Sequence, residues 1–178
     1  SKSESALKGA SMCLIIARGD RLERGLVSVL PDGLAHLAAE LAGEAKNGGG
    51  PVQGSLAHEG VRRLVVGVLP GEGSRYNAPA RPDAIARMVQ NSGITREDRA
   101  AVILCLEDEA HLEASLTGLA RGLPLFDRKT SSKAEPRIGV LAIGPDKQPL
   151  RIPNEERGRL GVIRESAALV DTPPSELH

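Results

Sequence analysis

The densest group of chemically capable side chains lies in "LEDEAH", Leu106–His111, where Glu107, Asp108, Glu109 and His111 fall within five positions. Carboxylates and an imidazole this close could ligate a divalent cation or share general acid–base work. The neighbours give the same residues a plainer task. An apolar run, Ala100–Leu106, precedes them, and Leu112, Leu116 and Leu119 follow at helical spacing. Acidic residues at the start of a helix satisfy its free N–H groups and its dipole. The reading is therefore a cap at Asp108 and not a metal centre.

The two thiols are read the same way. Cys13 in "MCLIIA" and Cys105 in "AAVILCL" are embedded in hydrophobic runs. A reactive thiolate needs an exposed, electropositive setting, so these are expected to be buried thiols of a reducing compartment. His36, His58 and His111 are scattered with no ligand or triad spacing. Arg18-Gly19-Asp20 spells an adhesion tripeptide, but is read as a turn leaving a strand. "DRKTSSK", Asp127–Lys133, is read as a solvated basic connection. Metalloprotease, dithiol, phosphate-loop and nucleophile-elbow motifs are missing. No catalytic, cofactor-binding or metal-binding residue is assigned.

One loop keeps a binding role open. "PGEGSRYNAPA", Pro70–Ala80, follows an apolar run and holds Gly71 and Gly73 with the donors Ser74, Arg75 and Asn77. Open α/β sheets bind ligands at the carboxyl ends of their strands. A structural or subunit-contact role is the favoured alternative.

The elements that would position these groups follow from hydrophobic period. Met12–Ala17, Val61–Leu69, Ala100–Leu106 and Arg137–Gly144 are nearly continuous apolar runs of strand length. Strands apolar at every position are covered on both faces. Between them, Leu34, Leu37, Ala38, Leu41 and Ala42 share one helical face, as do Ile85, Met88 and Val89. Asp32 is expected to open the first of these helices and Gly43 to end it, with Gly48–Gly50 a flexible loop. Asn91–Gly93 closes the second helix, and Gly122 the one after Asp108. A short edge strand is expected near Leu150–Ile152. A last helix starts at Asn154, with Leu160, Ile163, Ala167 and Val170 as its seam. Alternating strands and helices predict an α/β fold of three layers, with a mostly parallel or mixed sheet and helices on both faces.

Composition limits the partners. The chain of 178 residues has 23 basic and 23 acidic side chains, so no global field draws it to nucleic acid or to a membrane surface. One Tyr, one Phe and no Trp leave no stacking platform for single-stranded nucleic acid. Its apolar runs fall short of a membrane span, and cytoplasm is the expected location.

Three stretches resemble the leucyl aminopeptidase family. "EASLTGLARGLPLFDRKTS" (Glu113–Ser131) is similar to the family's helix followed by an aromatic-Asp turn and basic residues. "GVIRESAALVDTPPSELH" (Gly161–His178) is similar to its "A-R-x-L-V-N-T-P-x-N-x-L" segment through Ala168, Leu169, Val170, Asp171, Thr172, Pro173 and Leu177. "GEGSRYNAPA" (Gly71–Ala80) looks like a loop of its aminopeptidase-like branch. Asp171 stands where Asn is usual, and Pro124 where many members carry Tyr. The resemblance implies a macro-domain-like N-terminal domain over residues 1–152. Residues 153–178 would then be a linker helix and the start of a junction to a C-terminal catalytic domain lying beyond this chain. That domain would carry two divalent metal ions (zinc, manganese or magnesium) and hydrolyse N-terminal residues from peptide substrates. Within a homohexamer, this segment would serve assembly and active-site access. The alternative is an independent macro-like module that binds a nucleotide or ADP-ribose.

Overall fold

The structure is a computed structural model that describes residues 7–24, 30–48, 50–58, 60–71, 78–95, 98–123 and 137–171. Five strands, β1 (Met12–Arg18), β2 (Val52–His58), β3 (Val61–Leu69), β4 (Arg99–Cys105) and β5 (Arg137–Ile143), form one sheet in the order β2-β3-β1-β4-β5. All neighbours are parallel except β2, which runs antiparallel to β3 at one edge. The helices are α1 (Gly19–Arg24), α2 (Asp32–Gly48), α3 (Pro82–Asn91), α4 (Leu112–Arg121) and α5 (Asn154–Asp171).

The continuous apolar runs now have their physical reason. Cys13, Ile15, Ala17, Ala101, Ile103 and Cys105 face one side of the sheet, beneath Leu22 of α1 and Leu34, Ala38 and Leu41 of α2. Met12, Leu14, Ile16, Val102 and Leu104 face the other side, beneath Ile85, Met88 and Val89 of α3 and Leu116 and Leu119 of α4. Side chains alternate along each strand, so two buried faces require an apolar residue at every position. The three-layer α/β architecture with a mixed sheet is as expected.

On the second face, two glycines let the covering helices approach backbone to backbone. A Cβ at Gly118 would collide with the Pro82 backbone, lying 2.9 Å from its Cα. One at Gly122 would lie 2.6 Å from Val89 Cβ and 2.8 Å from the Ala86 carbonyl oxygen. Gly122 thus ends α4 as expected, but in a right-handed conformation, with its lack of a side chain used for proximity. At the end of α3, the buried Ser92 hydroxyl donates to the Val89 carbonyl at 2.6 Å.

Several expectations are corrected. The helix opening at Asp32 does not end at Gly43. It runs on to Gly48, because Gly43 faces open space and costs only propensity while Ala45 is buried beyond it. Strand β2 was not foreseen. Its Gly54 lies beneath Leu37 and Leu41 of α2, where a Cβ would sit 3.2–3.3 Å from their methyl groups. Arg18-Gly19-Asp20 leads straight into α1. Asp108 accepts the Ala110 N–H at 2.9 Å and caps a 3-10 turn, Glu109–His111, that leads into α4. The edge strand near Leu150–Ile152 reduces to an isolated bridge between Ile143 and Pro149, with the Leu150 N–H donating to the Ala142 carbonyl.

Helix α5 lies against α4. Arg159 pairs with Glu113 at 2.7 Å, and Arg164 Nε donates to the Leu123 carbonyl at 2.8 Å. Of the expected seam, Leu160 packs against the second core cluster, while Ile163 and Ala167 are half-buried. The Val170 side chain lies outside the described residues. Val162, on the same helix, is 60% exposed.

Candidate functional site at the carboxyl ends of the strands

Strands β1 and β4 are neighbours, and their chains leave the sheet towards opposite faces: β1 into α1, and β4 into the turn before α4. Such a divergence opens the crevice where α/β sheets hold ligands. Here the crevice is filled by an ion-pair chain. Arg18, the last residue of β1, places Nε 3.0 Å from Asp20 and 3.2 Å from Glu107 Oε1. The same carboxylate oxygen accepts from Arg81 Nη1 at 3.1 Å. Arg21 reaches across the same end, donating to the carbonyls of Pro145 at 2.8 Å and Leu106 at 3.2 Å.

Arg81 is the functional side chain that sequence reasoning missed. It precedes Pro82, which disfavours the right-handed helical region, and it adopts the left-handed one at φ 52°, ψ 49°. Non-glycine residues pay about 1–3 kcal/mol there, so surrounding contacts must hold the conformation. They do. Its N–H donates to the Ala78 carbonyl, and its own carbonyl accepts from Ala84 and Ile85 to start α3. The side chain is only 10% exposed. Beyond Glu107, its guanidinium donates to the carbonyls of Pro79 at 2.9 Å and Gly71 at 3.3 Å, while the buried Nε has no acceptor among the described residues. Arg81 therefore ties both described ends of the Pro70–Ala80 loop to Glu107, two residues past β4. Gly73, Ser74, Arg75 and Asn77 lie outside the described residues.

The "LEDEAH" acids do not converge. Glu107 is shared by two arginines, Asp108 is spent on its cap, and Glu109 is exposed. Among the described residues no group of three or more His, Cys, Asp or Glu is placed to hold a metal ion. The cavity lined by Arg81, Glu107 and His111 measures about 10 Å³, room for no more than a water-sized molecule. A larger cleft of about 590 Å³ opens beside it, with Arg18, Asp20 and Arg87 around Leu69, Ala84 and Met88. Among the described residues its walls hold no nucleophile paired with a base. The carboxyl end of α2 runs out towards it at Gly48, with Gly50 and Pro51 in its wall, and a helix carboxyl end disfavours anions.

Both thiols are buried. Burial pushes Cys13 up to about 12. It raises Cys105 as well, against a weaker opposing attraction from Arg21. Both are held as inert neutral thiols. His36 is exposed on α2, 3.7 Å from Glu40 one turn on.

Residues 14–132 match the family model of the M17 aminopeptidase N-terminal domain 2. The chain belongs to the M17 aminopeptidase family. Among solved structures, leucyl aminopeptidase from Trypanosoma brucei in complex with actinonin is 22% identical. It covers 98% of this chain and 36% of its own length at a TM-score of 0.74. The Leishmania major leucyl aminopeptidase with actinonin is 18% identical, with shares of 98% and 36% and a TM-score of 0.73. Leucine aminopeptidase from Caenorhabditis elegans is 18% identical, with shares of 94% and 35% and a TM-score of 0.63. No curated protein sequence matches the chain.

At these identities the structural likeness establishes the fold, and the family rests on the model match. The chain spans about a third of the length of these aminopeptidases. Of the three resembling stretches, Gly71–Ala80 and Glu113–Ser131 fall inside the matched span, and Gly161–His178 falls beyond it. Pro124 and Thr172–His178 lie outside the described residues, and Asp171 is the last residue of α5. No helix among the described residues is long and apolar enough to cross a membrane.

Proposed function

We propose that this chain is the N-terminal, non-catalytic domain of a metal-dependent aminopeptidase that removes N-terminal residues from peptides. The match of residues 14–132 to the M17 N-terminal domain carries the reading. The chemistry of the crevice supports it: Glu107 and Asp108, the best-placed acids, are already committed to arginines and to a helix cap. Two divalent cations, zinc, manganese or magnesium, would polarise the scissile carbonyl and activate water. The residues described here do not fit them, so their ligands are assigned to a C-terminal domain.

In this reading residues 1–152 form the domain body and 153–178 lead towards the catalytic portion. The body serves assembly of a homohexamer and access to its active sites, in the cytoplasm. The attachment of α5 to α4 through Arg159 and Arg164 gives the connection a defined starting direction. The test compares this chain with one carrying the remaining length typical of the family, on a leucyl chromogenic substrate with manganese or zinc. Turnover is expected only from the longer chain. Hydrolysis by the short chain overturns the non-catalytic assignment, and an inactive, metal-loaded long chain overturns the aminopeptidase reading.

A second reading, an ADP-ribose or nucleotide module, draws on the 590 Å³ cleft at the carboxyl ends of β1 and β3. The helix carboxyl end at Gly48 weighs against it. Calorimetric titration with ADP-ribose decides, with micromolar binding as the outcome that would favour it.

A further inference from the structure

Lys8, Arg99 and Arg137 meet at the opposite end of the sheet, where β4 and β5 begin. They line a groove of about 260 Å³ with Gly9, Ala100 and Gly139, and none of the described residues lining it is acidic. Arg99 and Arg137 are register partners on adjacent parallel strands. Neighbouring strands lie about 4.8 Å apart, so two positive charges stand side by side on one face. Side chains alternate along a strand, and Ala101 and Leu141, in step with them, are buried in the first core cluster. That face therefore turns up into the turn at Lys8–Ala10. There Gly9, at φ +76°, keeps open the space beside Arg99: a Cβ on it would lie 3.8 Å from Nη1.

Elsewhere several arginines have carboxylates. Arg18 and Arg81 share Glu107, Arg63 has Asp98, Arg121 has Asp83, and Arg159 has Glu113. Lys8, Arg99 and Arg137 form no ion pair among the described residues. The nearby Asp98 is already taken by Arg63, Thr95 and Ser11. The chain as a whole is neutral, so this concentration of charge is local.

We propose that the groove binds a small oxyanion group, a phosphate or a carboxylate, gripped by the two guanidinium forks with Lys8 as a third cation. Planar guanidinium groups match both anions with paired N–H donors, which point charges do not. The volume suits one such group with a short extension, below the usual range of about 300–1,000 Å³ for larger ligands. The site is independent of the aminopeptidase reading, at the end of the sheet away from the crevice.

The test titrates the full chain calorimetrically at low ionic strength, with inorganic phosphate in one arm and citrate in the other, against chloride. Saturable binding in either arm is expected, and the arm that binds identifies the group. Amide shifts should centre on Gly9, Ala10 and Gly139. Arg99→Ala and Arg137→Ala should each weaken binding at least tenfold. Arg99→Gln and Arg137→Gln repeat the test with side-chain bulk kept, so a folding defect cannot mimic the result. Absence of saturable binding in both arms overturns the site, as does binding that survives both glutamine variants or shifts confined to other residues.

Discussion

At the carboxyl ends of the strands, Glu107 is held by two arginines, Arg18 at 3.2 Å and Arg81 at 3.1 Å. At the amino ends, Asp98 is held by one, Arg63 at 3.2 Å, and hydrogen bonds complete its shell: the Thr95 N–H and hydroxyl at 2.8 Å each, and Ser11 at 3.3 Å. The first arrangement joins residues far apart in sequence and anchors the described ends of the Pro70–Ala80 loop. The second is largely a local turn that delivers the chain into β4. The partners differ because the tasks differ. Segments distant in sequence are joined by long, charged arms, whereas a turn four residues wide is served by a hydroxyl and a backbone N–H. What is left over differs too. The carboxyl end has spent the cations named there on its own chain, and the amino end keeps three that form no ion pair among the described residues.

The largest effect expected from this contrast comes from Glu107→Ala. It strips the carboxylate from Arg81, a guanidinium only 10% exposed, and should cost about 3 kcal/mol, at the low end for breaking a buried pair. Urea unfolding measures it, and a loss no larger than that of Asp98→Ala would erase the distinction. Asp98→Ala should cost about 1–2 kcal/mol, the scale of hydrogen bonds to a charged group.

Asp98 also carries a pH signature. Partial burial pushes its carboxyl up, but the Thr95 N–H and hydroxyl, the Arg63 charge and the Ser11 hydroxyl outweigh this and hold it below its usual value. A lowered folded-state value means the stabilisation is complete above the unfolded value of about 3.9 and is lost as pH falls through the folded one. The gap between wild type and variant should be flat from pH 7 to 5 and close below about pH 4. A gap that widens in acid would reverse the assignment.

Arg121→Ala removes an exposed pair with Asp83, whose side chains are 57% and 62% exposed, and should change stability by about 0.5 kcal/mol or less. Arg137→Ala should act in the other direction. Relief of its repulsion with Arg99 should stabilise by a few tenths of a kcal/mol at low salt and fade near 1 M.

Fold class was legible because both faces of the sheet are buried, which writes four strands as nearly continuous apolar runs. Strand β2 was hidden for the opposite reason: it is an edge, and its central Gly54 is small so that α2 can sit close. Helix α1 is six residues long, less than two turns, too few for a period to show. In the crevice, Glu107 and Asp108 stood out by type. Arg81, 26 positions from Glu107, gave only the faint sign of a basic residue before proline at a helix start. The amino-end groove left no local trace at all, since only parallel register sets Arg99 beside Arg137.

The glycine contacts of α4 reach further than helix packing. With no side chain at Gly118 or Gly122 to act as a bearing, α3 and α4 cannot roll over one another without driving backbone into backbone. They move as a single slab bolted to the sheet. Because α5 is fastened to that slab through Glu113 and Leu123, a pull on its far end is delivered to two helices at once. The bearing of α5 is thus taken from the sheet itself.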